Sequence, residues 1–331
     1  MGEGAGRGQC GRKGPVAIVG PTASSKTKAA YELAKRIGAE IISADSMAVY
    51  RGLDIGTAKP GRKERAEVPF HMIDLVDPDE PFTVADFQER AVKVIDEVLA
   101  RRQVPLLVGG TGLYVRAAID GLNIPGRGAD AELRARLSRL ADEKGNAYLH
   151  AELARVDAAA AARIHPNNRK RIIRAIEVYK QTGVPMSVAA ERTKPAAPRY
   201  PDAIQFGLTL DRATLYRRIE ERVDEQIRAG LVEEVKALLD KAYDVGLPAL
   251  QGLGYKEIAA YLKGRCDLQT AVSVMKRNTR RFAKRQYTWF RADPRVEWIE
   301  VDSLSPSEVA EVLEAKLRRA QVLGQDVGGP V

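Results

Sequence analysis

The sequence predicts an α/β protein, a parallel sheet core flanked by helices and interrupted by an inserted all-helical subdomain. Three observations carry this expectation. Short β-rich runs alternate with helical stretches over residues 15–123, the pattern of βαβ units on a parallel sheet. After Gly121 the composition changes to an Ala/Leu/Arg-rich stretch that reads as nearly continuous helix to about residue 200, with Ala158 to Ala162 inside it. A strand pattern then returns at Ala203 to Leu210, so the sheet is expected to be completed after the insertion.

Taken in order, Val16 to Val19 is the first strand and a helix starts near Lys26. Strands follow at Glu40 to Ser43, Met72 to Val76 and Pro105 to Val108, with a helix at about 84–102. The strands are short and apolar on both sides of the pleat, so both sheet faces should be covered. Beyond the insertion, helices are expected over about 212–241 and 254–291, a last strand at Val296 to Val301, and a closing helix to about 320. The resulting division is a disordered tip (1–14), a core (15–123 and 201–320), a helical insertion (124–200) and a frayed tail (321–331).

Composition narrows the chemistry. At 331 residues and 45% hydrophobic, the chain can bury a large core, which sets disorder aside as a description of the whole. Cys10 and Cys266 are far apart and only three histidines are present, so no structural zinc site is expected and a reducing compartment fits. No apolar run reaches the length of a membrane span and the N-terminal tip lacks a signal-peptide core, which reads as a soluble cytoplasmic chain, with monomer as the default state. The net charge of +9 points to a polyanionic partner only if the surplus is clustered.

The first strand runs into Gly20-Pro21-Thr22-Ala23-Ser24-Ser25-Lys26-Thr27, nearly the P-loop pattern G-x-x-x-x-G-K-[ST], with Ser25 at the second glycine. A loop that leaves a strand and opens a helix offers amide N–H groups and the positive helix end to one anion, Lys26 adds charge, and the Thr27 hydroxyl is placed to ligand Mg²⁺. The pattern alone does not separate a nucleotide from another diphosphate. Glycine is favoured at position 25 because it tolerates unusual dihedrals, so serine costs little with ordinary backbone angles and strains the loop with positive φ. Asp45 ends the second strand, where open α/β sheets collect ligands; it suits a general base or a ligand of metal-bound water, and equally a turn-capping carboxylate. Gly109-Gly110-Thr111-Gly112 repeats the strand-glycine-helix arrangement.

Two basic clusters stand out. Lys276, Arg277, Arg280, Arg281, Lys284 and Arg285 recur along one broad helix face, and Lys170, Arg171 and Arg174 gather in the insertion. Either is read as a solvated helix face or as an RNA grip. Tyr287 and Trp289 are candidates for base stacking, with Trp289 assigned to the core.

Together GPTASSKT (20–27), ISADSMAVYRGLDIGTAKP (42–60), FHMIDLVDPDEPFTVADF (70–87), LLVGGTGLY (106–114), RIHPNNRKRIIRAIEVY (163–179), LGYKEI (253–258) and AKRQYTWFR (283–291) resemble the tRNA dimethylallyltransferase family, in family order across residues 15–300. Ser25 for glycine and Asn168 for aspartate depart from its usual pattern. The resemblance implies a P-loop NTPase-like core in which the loop holds dimethylallyl diphosphate rather than ATP, and Mg²⁺-dependent transfer of a five-carbon group to N6 of the adenosine 3′ to the tRNA anticodon. It implies catalytic roles for Asp45 as base, for Thr111 near the reacting centre, and for Arg222 on the leaving group. Arg222 on its own reads equally as a surface i,i+4 partner of a carboxylate. The resemblance assigns the diphosphate to Gly20, Thr22, Ala23, Ser24, Ser25, Lys26 and Thr27, and the tRNA anticodon stem-loop to Asp45, Ser46, Met47, Ala48 and the two basic clusters. An adenylate isopentenyltransferase, a P-loop kinase and a noncatalytic RNA-binding protein are the alternatives; the first needs neither the insertion nor the basic helix.

Overall fold

The computed structural model describes residues 14–124, 128, 130–192, 195 and 197–323. Most of the expected N-terminal tip, Cys10, Pro125-Gly126-Arg127 and the end of the tail lie outside the described residues.

Six parallel strands form one sheet: β1 (Val16–Val19), β2 (Glu40–Ser43), β3 (Phe70–His71), β4 (Pro105–Gly109), β5 (Ile204–Thr209) and β6 (Val296–Glu300). Their order is β3-β2-β4-β1-β5-β6. The central strands β1 and β4 are apolar and buried at successive positions because the sheet is covered twice. Val16 and Ile18 face one cluster with Leu33 of α1 (Lys26–Ile37), Ile219 of α10 (Arg212–Arg228) and Leu313 of α14 (Pro306–Arg319). Ala17 and Val19 face the other, with Phe87 and Ile95 of α3 (Val84–Ala100) and Val115 of α4 (Gly112–Asp120). Chain order turns outward in both directions from the centre of the sheet, and the carboxyl ends of β1, β2 and β4 lie side by side there, the position where such sheets bind ligands.

Helix boundaries follow local chemistry. Thr83 and Asp86 form a capping box on α3, and Asp211 caps α10 through the amides of Ala213 and Thr214. Two long helices expected from periodicity are each broken. Gly230, at φ 100°, separates α10 from α11 (Leu231–Asp240), and a loop containing Gly264 at φ 69° separates α12 (Tyr255–Leu262) from α13 (Leu268–Arg291). The strand expected at Met72 to Val76 is displaced. Pairing with β2 involves only Phe70 and His71, because Met72 and Asp74 take left-handed angles that end the ladder.

The described chain divides into two compact units, residues 14–119 with 199–323, and the described residues of 120–198. The second unit packs α5 (Ala131–Lys144), α6 (Asn146–Val156), α7 (Ala158–Arg163), α8 (Arg169–Thr182) and α9 (Met186–Arg192) around Leu149, Leu153 and Ile172. Its buried carboxylate, Glu177, accepts from Arg134 at 2.7 and 2.8 Å, Arg174 at 2.7 Å and the Asp130 amide at 2.9 Å. Burial alone would raise its pKa, and these donors outweigh burial and hold it below the ordinary range. Asn168 caps α8 through the Arg171 amide, a role in which Asn and Asp are near equivalents.

Candidate active site

At the carboxyl edge of the central strands the first unit opens into a cleft of about 520 Å³. Thr22, Ala23, Ser25, Lys26 and Thr27 line it from the loop after β1, Asp45 and Ala48 from the segment after β2, and Gly109 and Gly110 from the turn after β4. Arg218, Arg222, Glu225 and Gln226, at spacings that place them on one stripe of α10, form its opposite wall with Ala229 just past the helix end. Arg222 is therefore a cleft residue, and the neighbouring Glu221 lies on the same cleft and within 3.9 Å of Arg217.

The loop is shaped by three residues of positive φ: Gly20 (139°), Ala23 (63°) and Ser25 (59°). Gly20 is obligatory, since a Cβ there would lie 2.6 Å from the Leu208 carbonyl oxygen. Ser25 sits at φ 59° and ψ 19° and makes no side-chain cap to α1, so the serine carries a left-handed backbone that costs an L-residue about 1 kcal/mol. The loop is the strained alternative left open by the sequence. Ser24 is buried with its hydroxyl on the Pro21 carbonyl at 2.9 Å, and Lys26 Nζ reaches the same carbonyl at 2.5 Å. Burial pushes the Lys26 ammonium down to about 7, Arg222 adds repulsion, and Asp45 opposes both. Arg222 is lowered for the same first reason, burial, with Asp45 and Glu225 acting against it. The buried Lys26 and the half-buried Arg222 thus share the cleft with Asp45.

Asp45 is also a turn residue: its Oδ1 accepts the Met47 amide at 2.8 Å, so both readings of this position hold together. The Thr111 hydroxyl accepts the Ser46 amide at 3.1 Å and the Thr111 amide bonds the Ala44 carbonyl at 3.2 Å, tying the two turns together behind the cleft wall. Gly109 permits that approach, for a Cβ would stand 2.2 Å from the Ala44 oxygen. Met47 packs away from the cleft against Gly252.

Gln286 was not singled out by the sequence. It joins the phosphate-type loop to the glycine turn, accepting the Thr22 amide at 2.8 Å and donating to the Gly110 carbonyl at 3.0 Å. Its signal was a polar residue recurring with the apolar face of α13, at the spacing of Thr279 and Ala283. The stretch DIGTAKP also acts as scaffold. Glu234 accepts the amides of Asp54, Ile55 and Gly56 and the Tyr255 hydroxyl, while Lys59 donates to the Tyr50 carbonyl and the carboxylates of Asp54 and Asp74.

The basic helix divides into two sets. Lys276 bonds Asp224 at 2.7 Å and Arg280 bonds Glu220 at 2.6 Å, so both are committed to α10. Arg277, Arg281, Lys284 and Arg285 are exposed and have no carboxylate at salt-bridge distance among the described residues. In the insertion, Lys170 and Arg171 are exposed while Arg174 is held by Glu177. The core assignment of Trp289 is corrected: it is 42% exposed, because it lies over Gly112, which presents no side chain to pack around it. Tyr287 is instead anchored, its hydroxyl accepting the Leu210 amide at 3.0 Å.

The sequence profile of the family described as IPP transferase matches residues 48–293. The chain belongs to the IPP transferase family. A second profile, described as Isopentenyl transferase, matches residues 15–75, the portion carrying the loop and Asp45. The chain is 54% identical over 287 residues to a tRNA dimethylallyltransferase of Desulforudis audaxviator, covering 87% of this chain and 92% of the relative. It is 52% identical to the enzyme of the same description from Moorella thermoacetica, covering 91% and 93%. Its fold matches the full-length tRNA isopentenylpyrophosphate transferase of Bacillus halodurans at TM-score 0.66 and 43% identity, over 94% of this chain and 98% of that one. A eukaryotic dimethylallyltransferase acting on tRNA, 23% identical, shares the fold at TM-score 0.76.

Proposed function

We infer that the cleft carries out dimethylallyl transfer to tRNA: the N6 amine of the adenosine 3′ to the anticodon displaces diphosphate from dimethylallyl diphosphate. The observation that carries the reading is that Lys26, Arg222 and Asp45 line a single cleft at the carboxyl edge of the sheet, two cations beside an acidic side chain. A bond forms between N6 and C1 of the donor, the C1–oxygen bond breaks with its electrons going to diphosphate, and the N6 proton is lost. Negative charge therefore grows on the leaving group, where Lys26, Arg222 and the amides of residues 20–27 stabilise the transition state more than the ground state. Asp45 accepts the N6 proton, which contributes on the order of 10²-fold to 10⁴-fold. Thr111 positions the Asp45 turn through the Ser46 amide.

Among the described residues no cluster of three or more Asp, Glu, His or Cys side chains could cage a metal. The proposed metal is Mg²⁺, which keeps several waters and relies on substrate phosphates with one or two protein oxygens. Thr27, on the cleft, would hold it, and when bound it supplies charge neutralisation on the diphosphate. An adenine must leave the anticodon stack to reach this cleft. The exposed Arg277, Arg281, Lys284 and Arg285 on α13, with Lys170 and Arg171 in the insertion, are the proposed phosphate contacts; Lys276, Arg280 and Arg174 support them from ion pairs. Among the described residues no helix is long and apolar enough to cross a membrane. We place the activity in the cytoplasm, with its tRNA substrate, and propose that the active form is a monomer. Incubation with Mg²⁺, dimethylallyl diphosphate and unmodified tRNA, followed by nucleoside mass analysis, should yield an adenosine one five-carbon prenyl unit heavier; tRNA binding without that nucleoside would overturn the reading.

A further inference from the structure

We propose that Trp289 is a stacking platform for a nucleobase neighbouring the reacting adenosine. The inference rests on the tRNA-prenylation reading above. Trp289 is an exposed large aromatic, and its indole edge lies so close to Gly112 that a Cβ added there would fall 2.0 Å from Cδ1. The ring is thus held on a backbone turn by contact and leaves much of its surface to solvent. Leu113, the next residue on α4, is 41% exposed, so the apolar surface continues beside the ring.

The position of this surface favours a nucleic-acid base. Successive residues of α13 rotate by about 100°, so Phe282, Gln286 and Trp289 follow one another along one flank of the helix. Phe282 and Gln286 line the cleft, and Trp289 continues that flank one turn further. The adjoining flank bears Arg281 and Arg285, exposed, with no carboxylate at salt-bridge distance among the described residues; the Arg285 guanidinium sits 5.6 Å from the Phe282 ring centre. A flat aromatic beside two exposed arginines that lack a carboxylate partner among the described residues matches one occupant chemistry, a single-stranded polynucleotide whose base stacks while its phosphates meet the arginines. Once a base is extruded into the cleft its neighbour loses a stacking partner, and an indole at the cleft's continuation replaces it.

The chain has two tryptophans, so Trp298→Phe leaves Trp289 as the sole indole. Titration of that variant with an anticodon stem-loop RNA should quench indole emission with the same midpoint as RNA binding measured by anisotropy. Binding with unchanged emission would overturn the proposal. In the otherwise native chain, Trp289→Ala should raise KM for the RNA about ten-fold, Trp289→Phe less, and neither should change KM for dimethylallyl diphosphate. An unaltered KM for the RNA in Trp289→Ala, or a loss confined to kcat, would overturn it. So would sedimentation showing that the native chain self-associates and Trp289→Ala does not, since the patch would then be a protein contact. Absence of prenyl transfer by the native chain defeats the catalytic reading instead, and the fluorescence titration still decides the role of Trp289.

Discussion

Affinity for dimethylallyl diphosphate should fall about 20-fold as pH rises from about 7.5 to about 9, because Lys26 must be protonated to meet the diphosphate. Its ammonium is lowered to about 7, first by burial, then by Arg222. Each unit above that value therefore costs nearly a factor of ten in the competent fraction. The terminal phosphate of the donor is already ionised in this window, with a second pKa of about 6, so the ligand adds no slope of its own. Calorimetric titration at fixed ionic strength, in two buffers of different ionisation enthalpy, should show close to one proton taken up per site near pH 8.5. A flat affinity with no proton uptake would refute the reasoning, since it would mean that Lys26 keeps its full charge in the unliganded cleft. The stability sign follows from the same shift. The folded value lies below the 10.5 of an ordinary lysine, so the unfolded chain binds more protons between about 7 and 10.5 and unliganded stability rises with pH across that window. The cost is fully present below about 7 and amounts to about 5 kcal/mol.

Ser25→Gly removes a left-handed L-residue but adds unfolded-chain entropy, so stability should change by less than about 1 kcal/mol and transfer should be equal or faster; a ten-fold loss of rate would show that the serine hydroxyl has its own role. Gln286→Leu leaves the Thr22 amide and Gly110 carbonyl without their partner, and melting should report a loss of about 1 to 3 kcal/mol for each together with weaker donor binding; unchanged melting would remove Gln286 as the clasp. Arg281→Ala should reduce the salt slope of RNA binding by about 0.7 while Arg280→Ala leaves it unchanged, and equal effects would contradict the division of this helix. Dimethylallyl diphosphate should raise the melting temperature more than ATP at equal concentration, a ranking that a kinase would reverse.

The parts of the fold visible in the sequence are those where local pattern and tertiary need coincide. The first strand is apolar at every position because both faces are covered, and the loop after it announces itself by glycine and lysine at fixed offsets. The displaced strand near residue 72 shows the converse. Its residues are apolar enough for a ladder, but Met72 and Asp74 turn left-handed so that Asp74 can meet Lys59 and Arg65, a partnership no local window contains. Arg222 and Gln286 belong to the same class. One is indistinguishable in sequence from a surface arginine, the other from any polar residue of an amphipathic helix, and only the packing of α10 and α13 brings them to residues 20–27. Trp289 was misplaced because size and apolarity argue for burial, whereas a glycine on the neighbouring turn decided how much of the ring is covered.

Asp45→Asn offers the most direct measurement, because the amide oxygen still accepts from the Met47 amide while the proton acceptor is lost. Single-turnover transfer and equilibrium RNA affinity, measured on the same sample, should show a rate reduced about 10²-fold to 10⁴-fold with affinity within about two-fold of the native chain. A near-native rate, or an affinity loss large enough to explain the rate, would contradict the assignment of Asp45 as the group that receives the N6 proton.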